Sequence, residues 1–147
     1  MHSFEETRVL ACSAHAMFDV VMDIEHYPNF LPWVAGARIL NEKPGELTAE
    51  LIADFAGIKQ TFTTVDRYTN NESIEVCLVD GPFRFLESFW SFEQLSDVSC
   101  KVYFSIEFDF KSALLGVVAT PIFTTACKSM VHAFEKRACE VARCRSV

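Results

Sequence analysis

The sequence has few glycines and prolines, and it lacks the motifs of the common cofactor-binding folds. Five Gly and five Pro in 147 residues exclude a low-complexity chain. No G-x-G-x-x-G or P-loop motif is present, so no motif supports nucleotide binding. H-E-x-x-H is also missing, and no spacing among His2, His15, His26 and His132 selects one as a catalytic base or a metal ligand. We therefore predict no catalytic residue, no metal and no required cofactor.

The sequence also lacks export and membrane-spanning signals. The six cysteines contain no C-x-x-C pair, which argues against zinc and favours reduced thiols packed as small apolar groups. Residues 1–12 have no basic cluster before an apolar run, unlike a secretory signal. The longest uncharged run lies between Lys111 and Lys128 and is shorter than the roughly 20 residues of a membrane span. We expect a soluble cytoplasmic protein.

Basic residues are scarce outside the C-terminal end. The net charge is −7, with residues 1–110 contributing −11 and residues 111–147 contributing +4. The acidic body argues against DNA binding. The basic end is a candidate for contact with an anionic surface, and a solvated helix face remains the alternative. The candidate docking residues are Lys128, Lys136, Arg137, Arg143 and Arg145.

What the sequence does have is apolar residues: half of the chain is hydrophobic and 14 residues are Phe. This content predicts one domain, 1–147, with a substantial core. Pattern and turn signals predict a first strand at 3–10, a helix at 14–22 capped by Ser13 and a helical turn at 23–26. They also predict a long helix at 113–143, which Pro121 should kink or begin. Six further strands are predicted at 34–42, 46–55, 58–69, 73–80, 84–95 and 98–110.

The faces of the last two strands predict the layers of an α+β fold. The last strand alternates, with Phe104 and Phe108 on an apolar face opposite Glu107 and Asp109. The strand before it has aromatic residues on both faces, which is typical of a strand that is covered on both sides or that faces a cavity on one side. An antiparallel meander bent around the long helix would leave an apolar cavity. The candidate lining, each member of which could instead be ordinary core, is Phe30, Trp33, Phe62, Trp90, Phe104, Phe108, Met130 and Phe134.

The segment 23–33, which contains YPNFLPW, resembles the signature of the coenzyme Q-binding START-like family, part of the polyketide cyclase/dehydrase superfamily. Val34 departs from it, because many relatives have Cys there. The resemblance covers nearly the whole chain, since further motifs follow in order: Ala56-Gly57-Ile58, Asp80-Gly81-Pro82-Phe83, Trp90-x-Phe92, Phe108-x-Phe110-x-Ser112 before Leu114-Leu115, and 130–138.

The resemblance implies a helix-grip fold, in which a curved antiparallel sheet surrounds the C-terminal helix and encloses a hydrophobic cavity. It places the turn 27–33 at one end of that cavity, as a lid with Phe30 and Trp33 as its gate. It implies a non-catalytic binding protein for a lipophilic ligand, ubiquinone, that supports respiratory electron transport and contacts the inner membrane peripherally. The family also contains bacterial ribosome-association toxins, so a ribosomal subunit is an alternative partner. A cyclase-like or aromatase-like enzyme is the weakest alternative.

Overall fold

The computed structural model describes residues 1–145, with side chains described as far as Ala142. The helices are α1 (Ala14–Met22), a 3-10 helix (Ile24–Asn29), α2 (Ala113–Lys128) and α3 (Met130–Arg145). The strands are β1 (His2–Leu10), β2 (Val34–Lys43), β3 (Glu46–Phe55), β4 (Ile58–Thr69), β5 (Ser73–Asp80), β6 (Phe83–Ser96) and β7 (Ser99–Phe110). The predicted strands therefore agree with the structure to within one residue at each end.

All seven strands form one antiparallel sheet, with the order β1-β7-β6-β5-β4-β3-β2. Strands β2 to β7 are a meander, as the turn signals predict, and each pairs with the next along the chain. The N-terminal β1 closes the other edge by pairing with β7, from His2 opposite Phe108 to Leu10 opposite Cys100. The sheet is thus built from both ends of the chain.

The alternation in β7 and β6 sets which face of the sheet is the core. In β7, Phe104 and Phe108 are buried, while Glu107 on the opposite face is exposed. In β6, Trp90 is buried, whereas Phe89 on the outer face is half-exposed and contacts the ring of Tyr103 at 6.4 Å. The second apolar face of β6 is therefore left partly open to solvent.

The prediction of one long helix at 113–143 is wrong, because the chain breaks at Ser129 and the two helices are bent by 50°. The Ser129 hydroxyl donates to the carbonyl oxygens of Thr125 (3.2 Å) and Ala126 (3.1 Å), and its backbone N–H also bonds to them. These bonds satisfy carbonyls that have no partner at the end of a helix. Pro121 neither begins nor breaks α2, which continues through it.

The helical turn before the YPNFLPW segment also differs from the prediction, which ends it at His26. The 3-10 helix continues through Pro28 to Asn29, because the fixed φ of proline suits a short tight helix. Beyond it, the chain is held by hydrogen bonds from the Leu31 N–H to the Tyr27 carbonyl (2.9 Å) and from the Asp54 N–H to the Trp33 carbonyl (2.8 Å). The turn is therefore tied to both the 3-10 helix and β3.

The C-terminal helices pack into the concave face of the sheet, and this arrangement confirms the helix-grip fold. Phe123 of α2 is 2% exposed and contacts the rings of Phe83 and Phe108 at 5.4 and 4.8 Å. Phe134 of α3 is also 2% exposed and contacts Trp90 at 5.3 Å. Within residues 1–142 no single helix is long and apolar enough to cross a membrane; α2 and α3 pass that test as a bent pair, on length and composition alone.

Candidate functional site

A cavity of about 90 Å³ lies between the sheet and the two C-terminal helices. Strands β3 to β7, the 3-10 helix, the turn after it and both C-terminal helices contribute to its wall. Most of the wall is apolar, so the space suits a hydrophobic ligand. Of the eight predicted lining residues, six surround it: Trp33, Phe62, Trp90, Phe104, Met130 and Phe134.

The other two predicted residues do not line this cavity, and that part of the predicted lining is wrong. Phe108 lies deeper in the core, where its ring contacts Phe83 and Phe123 at 6.4 and 4.8 Å. Phe30 packs against Phe134 at 5.2 Å, and the guanidinium carbon of Arg137 lies 5.5 Å from the centre of its ring. For Phe108, periodicity gives the face of β7 on which the residue lies, but not how far along that face it is from the cavity.

A polar patch that the sequence analysis missed interrupts the apolar wall. It consists of Thr64 and Asp66 on β4 and Ser88 on β6, all buried and all lining the cavity. The Thr64 hydroxyl donates to Asp66 Oδ1 at 2.9 Å, and the Ser88 hydroxyl donates to the Ser105 carbonyl at 3.0 Å. The alternation of β4 contains the signal, because an inward Phe62 requires Thr64 and Asp66 to point inward as well.

The environment of Asp66 favours its neutral form. Burial raises the pKa of Asp66 to about 6, and the hydrogen bond from Thr64 opposes that shift. The phenol of Tyr27, which also lines the cavity, donates to the Val21 carbonyl. Burial raises the pKa of Tyr27 well above its ordinary value, and the charges of Asp66 and Asp23 add to this. Near neutral pH the cavity therefore holds a neutral phenol and a carboxyl group that can change its protonation.

An open groove of about 530 Å³ lies on the other side of the turn that follows the 3-10 helix. Its walls include Pro32 of the turn, Pro121 and Ile122 of α2, and Ala133 of α3. Leu31 and Trp33 line both the groove and the cavity, so these two side chains are the partition between them. YPNFLPW therefore forms a wall between an internal apolar space and the surface.

The predicted docking residues lie on or near α3, in different environments. Lys128 and Lys136 are exposed, and neither forms an ion pair with another described side chain. Arg137 is half-buried over the ring of Phe30. Arg143 and Arg145 lie outside the residues whose side chains the structure describes. The described part of the basic end thus offers two free ammonium groups.

None of the described cysteines lines the cavity, and the described residues form no metal site. Cys12, Cys100 and Cys127 are buried free thiols. Among the described residues, no group of His, Cys, Asp and Glu is arranged to hold a metal ion. The chemistry available at the cavity is therefore apolar contact and hydrogen bonding from the patch around Asp66.

A curved sheet that holds C-terminal helices over an apolar cavity is the helix-grip architecture of START-like proteins. A solved structure with this fold is the Zhui aromatase/cyclase from Streptomyces sp. R1128, which superposes with a TM-score of 0.79 at 19% identity over 93% of each chain. The chain belongs to the family described as polyketide cyclase/dehydrase and lipid transport, whose model matches residues 10–135.

Two relatives narrow the comparison within that family. The ribosome association toxin RatA of Escherichia coli K12 is 39% identical over 145 residues, which are 99% of this chain and 92% of RatA. The mitochondrial coenzyme Q-binding protein COQ10 homolog B of Xenopus laevis is 34% identical over 145 residues, covering 92% of this chain and 57% of the relative. The predicted resemblance to the coenzyme Q-binding START-like family is confirmed. The relatives' names describe a toxin and a binding protein, while the fold itself also serves an aromatase/cyclase.

Proposed function

We propose that the protein binds a lipophilic molecule of the ubiquinone type and carries it without changing it chemically. The observation that carries the proposal is the apolar cavity, which shares Leu31 and Trp33 as wall residues with a surface groove. The coenzyme Q-binding relative supports it. Each methylene of an isoprenoid tail moved out of water would contribute about 0.8 kcal/mol. In this proposal the protein is cytoplasmic, touches the inner membrane peripherally and supplies quinone for respiratory electron transport.

The size of the cavity indicates how a ligand would enter. Ligand pockets span roughly 300–1,000 Å³ and a cavity of about 150 Å³ accepts benzene, whereas this one measures about 90 Å³. A quinone therefore requires the partition to move, which would join the cavity to the groove of about 530 Å³. Pro28 and Pro32 restrict the turn, so Leu31 and Trp33 would swing with it as a unit.

Mass spectrometry of an organic extract of the purified protein tests the proposal directly. We expect a prenylated quinone in near-equal amount to the protein, and its loss after washing with detergent should be reversed by added ubiquinone. An extract without any lipophilic molecule, together with no binding of added ubiquinone, would contradict the proposal.

Replacing Trp33 with alanine should speed release of a bound quinone about tenfold, which corresponds to about 1.4 kcal/mol. The reason is that the indole is half of the partition and is itself only partly buried. Stopped-flow transfer of the quinone to excess vesicles measures the rate. Phe89→Ala, on the outer face of β6, is the matched control and should leave the rate unchanged. A rate in Trp33→Ala equal to that of the unaltered protein would show that the indole only fills space.

A second candidate function, inhibition of ribosomal subunit joining, is supported by the similarity to RatA over 99% of this chain. The exposed Lys128 and Lys136 would contact ribosomal RNA. Because phosphate contacts release counterions, binding to purified subunits should weaken steeply as salt rises, whereas quinone binding should not.

Reversing both lysines, in Lys128→Glu combined with Lys136→Glu, should reduce co-sedimentation with ribosomal subunits by at least about tenfold at low salt. Lys59→Glu is the control, since Lys59 is an exposed lysine on β4 that forms no ion pair with another described side chain. The same double variant should be tested on anionic vesicles. If the unaltered protein, the double variant and the Lys59→Glu control bind equally to subunits and to vesicles, Lys128 and Lys136 do not dock and only add to solubility.

Catalysis is the least supported function for this chain. The lining of the cavity includes one carboxyl group, that of Asp66, and no histidine, lysine or arginine in the part of the chain that the structure describes. General acid–base turnover requires groups that exchange protons with a substrate in both directions. We therefore propose binding alone.

A further inference from the structure

Asp66 is a buried polar group whose hydrogen-bonding capacity the fold does not use fully. The residue is 5% exposed and lines the cavity. Its Oδ1 accepts from the Thr64 hydroxyl at 2.9 Å, but no described residue is bonded to Oδ2. The neighbouring hydroxyl of Ser88 is already committed to the Ser105 carbonyl. The described residues include no fully buried side-chain oxygen or nitrogen without a partner, so the unbonded carboxyl oxygen is accessible from the cavity, where a ligand atom would reach it.

Among the residues that the structure describes, none that lines the cavity carries a positive charge to offset a charge on Asp66. The other elements that face it present apolar side chains, the Ser88 hydroxyl and the Tyr27 phenol, which is the only other titratable group in the described lining. Arg67, the next residue on β4, points to the opposite face and pairs with Glu46 at 3.1 Å. Burial without a cation disfavours the carboxylate and raises the pKa of Asp66 to about 6. The neutral acid carries a proton that it can donate.

We propose that Asp66 anchors the polar end of the ligand, as a neutral carboxyl group that donates a hydrogen bond to a carbonyl oxygen. The inference rests on the proposed binding function and specifies its ligand class: an apolar molecule that carries a quinone or ketone carbonyl at one end. Thr64 holds the carboxyl group in place through Oδ1, which leaves Oδ2 to face the ligand.

The anchor makes binding depend on pH. A carbonyl oxygen can only accept a hydrogen bond, so the carboxylate has nothing to offer it and repels it. Affinity should therefore fall as the pH rises through about 6 and Asp66 ionises. With binding restricted to the neutral form, the apparent Kd of a quinone should be about 30-fold higher at pH 7.5 than at pH 5.

Two probes with equal tails separate the anchor from plain hydrophobic binding. A short-tailed ubiquinone has the carbonyl groups, and an alkylbenzene with the same tail does not. We expect tryptophan fluorescence titrations to show the 30-fold change for the quinone and no change with pH for the alkylbenzene. Binding of both probes without pH dependence would overturn the inference and leave the proposed function standing, whereas failure of both probes to bind would overturn both.

Substitutions of Asp66 identify the titrating group. Asp66→Asn keeps a donor without an ionisable proton, so quinone should bind at pH 7.5 about as tightly as to the unaltered protein at pH 5. Asp66→Leu should bind quinone at least tenfold more weakly than Asp66→Asn at both pH values while retaining the alkylbenzene. Asp97→Asn, in the exposed β6–β7 turn, should behave as the unaltered protein does. Persistence of the pH dependence in Asp66→Asn would overturn the assignment.

Discussion

Replacing Phe123 with alanine should lower the free energy of unfolding by about 4 kcal/mol, as expected for the removal of a buried ring from a packed core. The ring is 2% exposed and is the point at which α2 enters the sheet. It contacts four phenylalanine rings of the sheet, on β3, β6 and β7, and the indole of Trp33. Neighbours on a sheet cannot collapse into the gap, so most of the lost contact should appear as lost stability. Urea denaturation followed by circular dichroism measures the change.

The matched control for this prediction is Phe89→Ala. It removes the same atoms, but from a half-exposed ring on the outer face that has a single ring contact, to Tyr103 at 6.4 Å. The loss should be about 1 kcal/mol or less. Equal losses in the two variants would mean that α2 is not held by its aromatic contacts with the sheet.

Local periodicity was enough to predict the strands and their faces, because each inner position of β7 is apolar and each turn has a recognisable signal. It could not predict that β1 pairs with β7, since residues far apart in sequence share no local pattern. The helix-grip arrangement and the placement of the YPNFLPW turn came from the family resemblance. Both agree with the position of Leu31 and Trp33 in the wall of the cavity.

The break at Ser129 was missed for a physical reason. Phe123, Cys127, Met130 and Phe134 continue the helical spacing across it, so the apolar stripe carries no sign of a bend. The break depends instead on hydrogen bonds from one serine to the carbonyl groups of the preceding turn. Pro121 led to the prediction of a kink, because proline has no N–H to donate to the carbonyl of Val117, four residues earlier. Val117 is 75% exposed, so water can bond to that carbonyl instead.

The candidate site was predicted in its apolar part and missed in its polar part. Large apolar side chains pointed to six cavity residues, five of them aromatic, whereas Phe30 and Phe108 are also large and aromatic and lie elsewhere. The sequence analysis did not consider Asp66, and the two strand acids that it placed, Glu107 and Asp109 on β7, lie opposite the apolar face. Asp66 is a charged residue type at an inner position of β4, where the alternation of apolar and polar residues would place an apolar side chain. Such exceptions are expected at functional sites.

The last prediction concerns the stability that the protein loses by keeping Asp66 in its cavity. The pKa of this carboxyl group rises from 3.8 to about 6 on folding, so the folded state disfavours the charged form. Well below pH 3.8 the group is protonated in both states and there is no penalty. Between about pH 4 and pH 6 the unfolded chain ionises while the carboxyl group of the folded protein stays protonated, so the penalty grows across this range. Above pH 6 both states are ionised and the penalty levels off at about 3 kcal/mol.

Asp66→Asn should therefore stabilise the protein at pH 7.5 by about 2 kcal/mol, since the amide avoids the charge but keeps some cost of burying a polar group. At pH 4 the two proteins should differ little. Urea denaturation at both pH values measures the difference, and Asp97→Asn should show no such dependence because that side chain is exposed. A gain at pH 7.5 would show that Asp66 has no structural role that needs its charge, which leaves ligand binding as the reason for an acid at this position. No gain at pH 7.5, or an equal gain at pH 4, would mean that the folded protein accommodates the carboxylate, and the pH-dependent anchor would lose its physical basis.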